Sequence, residues 1–296
     1  MGAYSQPNDS LPTTRDHGSA AGWVAGLRGA VALFLPWPRA GPADLNSRSW
    51  WWFVPIGLLI GCCWAGLFRA SWRVFGEVGG VRLMPALVVL LADAAFFSRL
   101  LHVAAARTCL ASARRSAFSE ESPLRPAHAV LLSLVLPAVL LAKFVLLASL
   151  PAGPDFHSND WRRYLLWAYP RVIYRPLALA PAWACWGVLL AAGIGRSHPA
   201  ADEGVRRLSQ RWRPLPVAAT FLVPAVLTTI YGARQGNVML GTVISLAVLA
   251  VTFLSSVALT RRQGGQTRDS LLAAGLVGQL SFLFVYLGFS KWLVRW

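Results

Sequence analysis

The sequence predicts an all-α fold, a polytopic membrane helical bundle with about six or seven transmembrane helices. Three observations lead there. Mean hydropathy is +0.51, and 56% of the 296 residues are hydrophobic. Charged residues make up only 14%, against about 25% in soluble domains. Long apolar runs recur, many of about 18 residues or more, enough to cross a hydrocarbon core. They do not alternate as the strands of a membrane barrel would.

The elements follow in order. Residues 1–22 are polar and poor in large apolar groups, which predicts a disordered tail rather than a secretory signal. The integral membrane domain is placed at 23–296. Its first stretch, "GWVAGLRGAVALFLPWPRAG", is short and ends at Pro36 and Pro38, as expected of a helix lying at the interface. Spans are then expected at Trp50–Phe68, Val81–Leu101, His128–Leu150, Val172–Ile194, Leu215–Tyr231, Val238–Ala258 and Leu271–Val294. Trp50, Trp51 and Trp52 open the first of them as an interfacial anchor.

Net charge is +16, almost all from arginine; the only lysines are Lys143 and Lys291. In a membrane protein such an excess marks cytoplasmic loops facing anionic lipid, so no nucleic-acid partner is inferred; the bilayer is. A phosphorylated substrate would be drawn to the same loops. Arginines concentrate in the N-terminal tail and in the second, fourth and sixth connections (Arg107, Arg114, Arg115, Arg196, Arg206, Arg207, Arg261, Arg262 and Arg268 among them). The positive-inside rule makes that side cytoplasmic, with the N-terminus there too. The cysteines Cys62, Cys63, Cys109 and Cys185 form no CxxC pair and predict neither zinc nor a disulfide framework.

Three places carry candidate chemistry. In "RRQGGQTRDSLLAA", Gly264 and Gly265 would let backbone N–H groups approach a ligand. Gln266, Thr267 and Arg268 lie beside them, at the N-terminus of the last helix, where a phosphate would be favoured. Thr267 or Asp269 could cap that helix, and a capped turn is the alternative reading. In "LLHVAAARTCLASARRSAFSEES", Arg107, Arg114 and Arg115 could clamp a diphosphate, and Glu120 and Glu121 could hold Mg²⁺. The alternative is a basic loop with an acidic end. His102 in the same stretch, taken alone, suits a buried hydrogen-bonding group better than a ligand or base.

The third place is inside the membrane. Lys143, in "PAVLLAKFVLLASL", is an ionisable group in mid-span and a functional candidate on that ground. Snorkelling to the interface is its alternative. Asp93, in "LLADAAFFSRLL", could pair with a membrane arginine or lysine. Arg171 and Arg175 are either span-edge anchors or inward-facing phosphate groups. HExxH, GxSxG and Walker A patterns are absent from the sequence.

Four stretches, in the same order, resemble the adenosylcobinamide-GDP ribazoletransferases, or cobalamin synthases. They are "AVALFLPWPRAG", "FVPIGLLIG", "LHVAAARTCLASARRSAF" with the later "LLAKFVLL", and "GGQTRDSLLAA". The last resembles the family's GGxTGD motif, and Lys143 falls on its intramembrane lysine. The resemblance implies that a hydroxyl of α-ribazole, or of its 5′-phosphate, attacks the cobinamide-linked phosphate of adenosylcobinamide-GDP. GMP leaves, with Mg²⁺ neutralising the diphosphate. It implies catalytic roles for Asp269, Lys143 and His102. Substrate contacts would come from Gly264 to Arg268, Arg107, Arg114, Arg115 and Arg171, and metal contacts from Asp269, Glu120 and Glu121. The site would face the cytoplasm from the inner membrane.

The chain departs from the family pattern in three places. His102 is followed by Val103, Ala104, Ala105 and Ala106 where the family has an aspartate-rich run. Arg268 replaces the glycine before Asp269, and Leu276 and Gln279 stand where glutamates are usual. A degenerate homologue is therefore the alternative expectation, acting as a binding or assembly protein or on another phosphorylated substrate. A transporter ranks third, since Lys143 and Asp93 are the only evident intramembrane charges.

Overall fold

The computed structural model describes residues 20–35, 45, 48–76, 82–97, 99–117, 125–151, 173–210, 214–233 and 238–293. Helix α1 spans Ala20–Phe34 and α2 Ser49–Phe75. Helix α3, Leu83–Ala92, runs into a π-helical turn, Asp93–Phe97, and α4 follows over Arg99–Ala117. Then come α5 (Arg125–Ala148), α6 (Tyr174–Ile194), α7 (Glu203–Gln210), α8 (Pro214–Ala233), α9 (Val238–Gln263) and α10 (Arg268–Leu293). The fold is an all-α polytopic membrane bundle. Among the described residues five helices are long and apolar enough to cross a membrane: α2, α6, α8, α9 and α10.

The expected interfacial stretch forms α1, which is too short to span and lays Leu33 and Phe34 against the core. Phe34 meets Phe53 of α2 edge-on, with ring centroids 5.1 Å apart. The tryptophan triplet divides: Trp50 turns into the core at 4% exposure, while Trp51 faces outward at 43%. The span expected over Val81–Leu101 is not one straight helix. The axes of Leu83–Phe96 and Leu100–Cys109 differ by 78°, and the pair would supply a sixth crossing. The π turn at Asp93–Phe97 leads directly into the break, between Phe96 and Leu100, where the direction changes. Such turns misalign the backbone ladder and accompany sharp bends.

Helix α6 is the axis of the bundle, with 89% of its apolar window buried. Helices α2 and α10 flank it at distances only small residues permit, the usual way helices associate where water supplies no driving force. A Cβ at Gly61 of α2 would lie 2.0 Å from the carbonyl oxygen of Ala178. One at Gly275 of α10 would lie 2.8 Å from that of Ala184. Trp183 of α6 stacks on Phe282 of α10, with ring centroids 6.0 Å apart. Helices α8 and α9 leave Leu222, Val226, Leu246 and Leu254 exposed, as a lipid-facing surface requires.

Two ends of the bundle can be told apart by their ties. At one, Arg82 donates to the carbonyl of Leu150 (3.0 Å) and Arg175 to that of Tyr231 (3.3 Å). At the other, the start of α10 meets α1, α4 and the α6–α7 connection.

Candidate functional site at the N-terminal end of α10

The loop from α9 to α10 is built on two glycines in backbone conformations that other residues rarely adopt, Gly264 at φ 67° and Gly265 at φ 146°. Gly265 also passes so close to His198 that an added Cβ would lie 2.7 Å from its Cα. That approach lets Gln266 form a single parallel bridge with Ser197. Its N–H donates to Arg196 O (2.8 Å) and its carbonyl accepts from His198 N (2.9 Å). The Gln266 side chain is 1% exposed and turns into the bundle. Its amide donates to Ala191 O at 3.1 Å and to the Thr260 hydroxyl, and accepts from Ser270 Oγ at 2.8 Å. Gln266 thus ties together the ends of α6, α9 and α10; its side-chain hydrogen-bonding groups are occupied within the protein.

Thr267 is the N-cap of α10. Its Oγ1 accepts from Ser270 N (3.2 Å), and its own N–H donates to Ser270 Oγ (2.8 Å). This reciprocal pair is a capping box with serine in the third position. Asp269 is therefore not the cap, and its carboxylate is released for other contacts. It lies 4.0 Å from Arg107 Nη1 of α4, with side-chain exposures of 37% and 64% for Asp269 and Arg107. Arg268 donates to the carbonyl of Ala32 in α1 at 3.2 Å. Asp202, before α7, is close enough to couple electrostatically to Asp269.

The two polar segments singled out from the sequence therefore converge: Arg107 from one, and Gly264 to Asp269 from the other. Arg114 and Arg115 fall in the last turns of α4, with side chains outside the description. Glu120, Glu121 and Arg171 lie outside the described residues, as does the polar tail through Ser19. His102 is buried in α4 at 3% exposure. Among the described residues no group of three His, Cys, Asp or Glu side chains is placed to hold a metal ion. Among the described residues the carboxylates at this end are Asp269, Asp202 and Glu203, the last of them paired with Arg207 at 3.1 Å.

Lys143 stands apart from this end. Its Nζ lies 2.5 Å from Asp93 Oδ2 and 2.8 Å from Gln279 Oε1. Trp64 Nε1 donates to Asp93 Oδ1 at 3.0 Å. Lys143 and Asp93 are both fully buried, so Lys143 does not snorkel. Gln279 is ten residues along α10 from Asp269, about 15 Å at the helical rise. Sequence reasoning foresaw Asp93 as a partner for a membrane cation. It did not foresee Trp64, or Asp202 beside Asp269. A lone glutamine in an apolar run was the available signal for Gln279; Asp202 gave none, being brought in by folding alone.

Fold and site together define a multi-pass membrane protein with an arginine-flanked, glycine-built helix start at one end and a buried ion pair at mid-depth. No protein-family model, curated protein or solved structure matches the chain.

Proposed function

We propose that this protein is a membrane enzyme like the adenosylcobinamide-GDP ribazoletransferases, joining α-ribazole or its 5′-phosphate to adenosylcobinamide-GDP and releasing GMP, late in cobalamin biosynthesis. One observation carries the reading. Two of the four stretches that bear the resemblance meet at one end of the bundle, with Arg107 4.0 Å from Asp269 at the start of α10. A diphosphate ester lying there would have two guanidinium groups, Arg107 and Arg268, beside a helix N-terminus. Described arginines crowd this end (Arg107, Arg196, Arg206, Arg207, Arg261, Arg262 and Arg268), which the positive-inside rule assigns to the cytoplasm.

The reaction forms a phosphodiester bond between the α-ribazole hydroxyl and the cobinamide-linked phosphorus. The anhydride bond to GMP breaks, its electron pair leaves on the GMP phosphate, and the hydroxyl proton passes to solvent. Mg²⁺, when bound, would neutralise that diphosphate; the residues present suit an ion taking one or two protein carboxylates and the rest from phosphate and water. Among the described residues, Asp269 is the carboxylate that would hold it. Arg107 and Arg268 orient the phosphates and offset developing charge, the main demand of phosphoryl-type transfer.

The test is GMP release by the purified protein in detergent, given adenosylcobinamide-GDP, α-ribazole and Mg²⁺. Asp269→Asn should abolish it. The same change should cost little stability, because Thr267 caps the helix and an exposed ion pair contributes about 0–1 kcal/mol. The second reading, a catalytically degenerate homologue that binds the corrinoid without turning it over, is favoured by Val103, Ala104, Ala105 and Ala106 standing where the family has an aspartate-rich run. Intact corrinoid binding with no GMP released would select it.

A further inference from the structure

At mid-depth lies a polar cluster that no step of the proposed reaction uses. Lys143 of α5, Asp93 of the π turn, Gln279 of α10 and Trp64 of α2 come from four separate elements. Both charged groups in it, and the Trp64 indole N–H, are engaged. Asp93 receives Lys143 on one oxygen and Trp64 on the other. Lys143 donates to Asp93 and Gln279, and its ammonium also lies 4.7 Å from the centroid of the Trp64 ring. A charge pair held from both sides in this way suits a fixed structural element better than a proton relay.

Stability alone is a weak reason for it. Desolvating two charges offsets most of their attraction, and well-packed apolar side chains often serve as well. Direction is what apolar contacts lack. Smooth helix faces in lipid can slide or rotate with little penalty. A hydrogen-bonded ion pair does not tolerate even one residue of slip, about 1.5 Å along the axis. The location fits that role. Asp93 opens the π turn that immediately precedes the 78° bend into α4. Helix α4 then carries Arg107 across to Asp269 on α10.

We infer that Lys143, Asp93, Gln279 and Trp64 are positioning residues: their ion pair and hydrogen bonds hold α10 in register with the bent α3–α4 segment, so that Arg107 and Asp269 meet. The functional sense of this rests on the reading that a phosphate binds at that end; the geometric claim does not.

The test reads geometry rather than activity. Cys62, Cys63 and Cys109 are changed to serine and Cys185 to alanine, and cysteines are placed at 107 and 269 (Arg107→Cys, Asp269→Cys). Cross-linking by a short bis-maleimide is timed in native membranes. Asp93→Asn with Lys143→Met removes both charges, keeps an acceptor for Trp64 and approximately conserves volume. Its melting temperature in detergent should stay near that of the parent. Its cross-linking rate should fall by about tenfold, equivalent to about 1.4 kcal/mol in the population of the paired arrangement. If that variant fails to accumulate, Gln279→Leu, which leaves the ion pair intact, carries the test and should also slow cross-linking. Unchanged cross-linking in the folded double variant, or in Gln279→Leu where only that variant folds, overturns the inference. Slowed cross-linking, with no GMP released by the protein that retains Arg107 and Asp269, would sustain it while refuting the enzymatic reading.

Discussion

Replacing Gln266 by glutamate should be among the most damaging near-isosteric changes in the protein. The amide orientation is settled by chemistry. Ala191 O, 3.1 Å away, can only accept, so the nitrogen must face it. Ser270 Oγ approaches the other side at 2.8 Å as a donor to Oε1. In the Gln266→Glu protein an oxygen replaces that nitrogen in a site 1% exposed. Two donated hydrogen bonds go, each contributing about 1 kcal/mol net, and a carboxylate is forced against a carbonyl. Protonation of the new acid would restore only one donor. The expected loss is about 2–4 kcal/mol, enough to lower the apparent melting temperature by on the order of 5–10 °C. The assay is thermal unfolding of the ligand-free protein in detergent, with amide hydrogen exchange followed over residues 196–198 and 264–270. Exchange there should accelerate before the rest of α10. A melting temperature equal to that of the unaltered protein, with a change in phosphate binding alone, would mean that Gln266 faces a ligand and that the tie to α6 is not formed.

Thr267→Ala should cost about 1 kcal/mol through loss of the N-cap, and Thr267→Ser much less, since serine keeps the accepting hydroxyl; chemical or thermal unfolding distinguishes them. Gly61→Val should prevent α2 from closing on α6, because its Cβ would meet Ala178 O at 2.0 Å. Gly66→Ala on the same helix, where nothing lies within 4 Å, is the control. Monodispersity on size exclusion reads both.

The helices were legible because each must satisfy its backbone internally and face lipid or like residues, which leaves a long apolar run in the chain. The second span shows the limit. Its hydropathy continues from Val81 to Leu101, yet the axis bends by 78° across it. Asp93 was visible as a charge in that run, but its partner was not, since Lys143 lies 50 positions away. The late glycine motif was read as a loop able to approach a ligand. Its backbone does take the conformations that require glycine, but the side chain of Gln266 faces the protein interior. Between the two candidate caps of α10 the sequence left a choice, and hydrogen-bond geometry decided for Thr267.

Composition and periodicity by themselves determined that this chain is a multi-pass helical membrane protein, because burying apolar surface in lipid is a property of each segment taken singly. Which polar groups meet was decided only by tertiary structure. Arg107 beside Asp269, Gln266 against Ala191, and Lys143 among Asp93, Gln279 and Trp64 all depend on the bend and axial register of whole helices. Such offsets leave local hydropathy unchanged, so no single stretch of sequence records them.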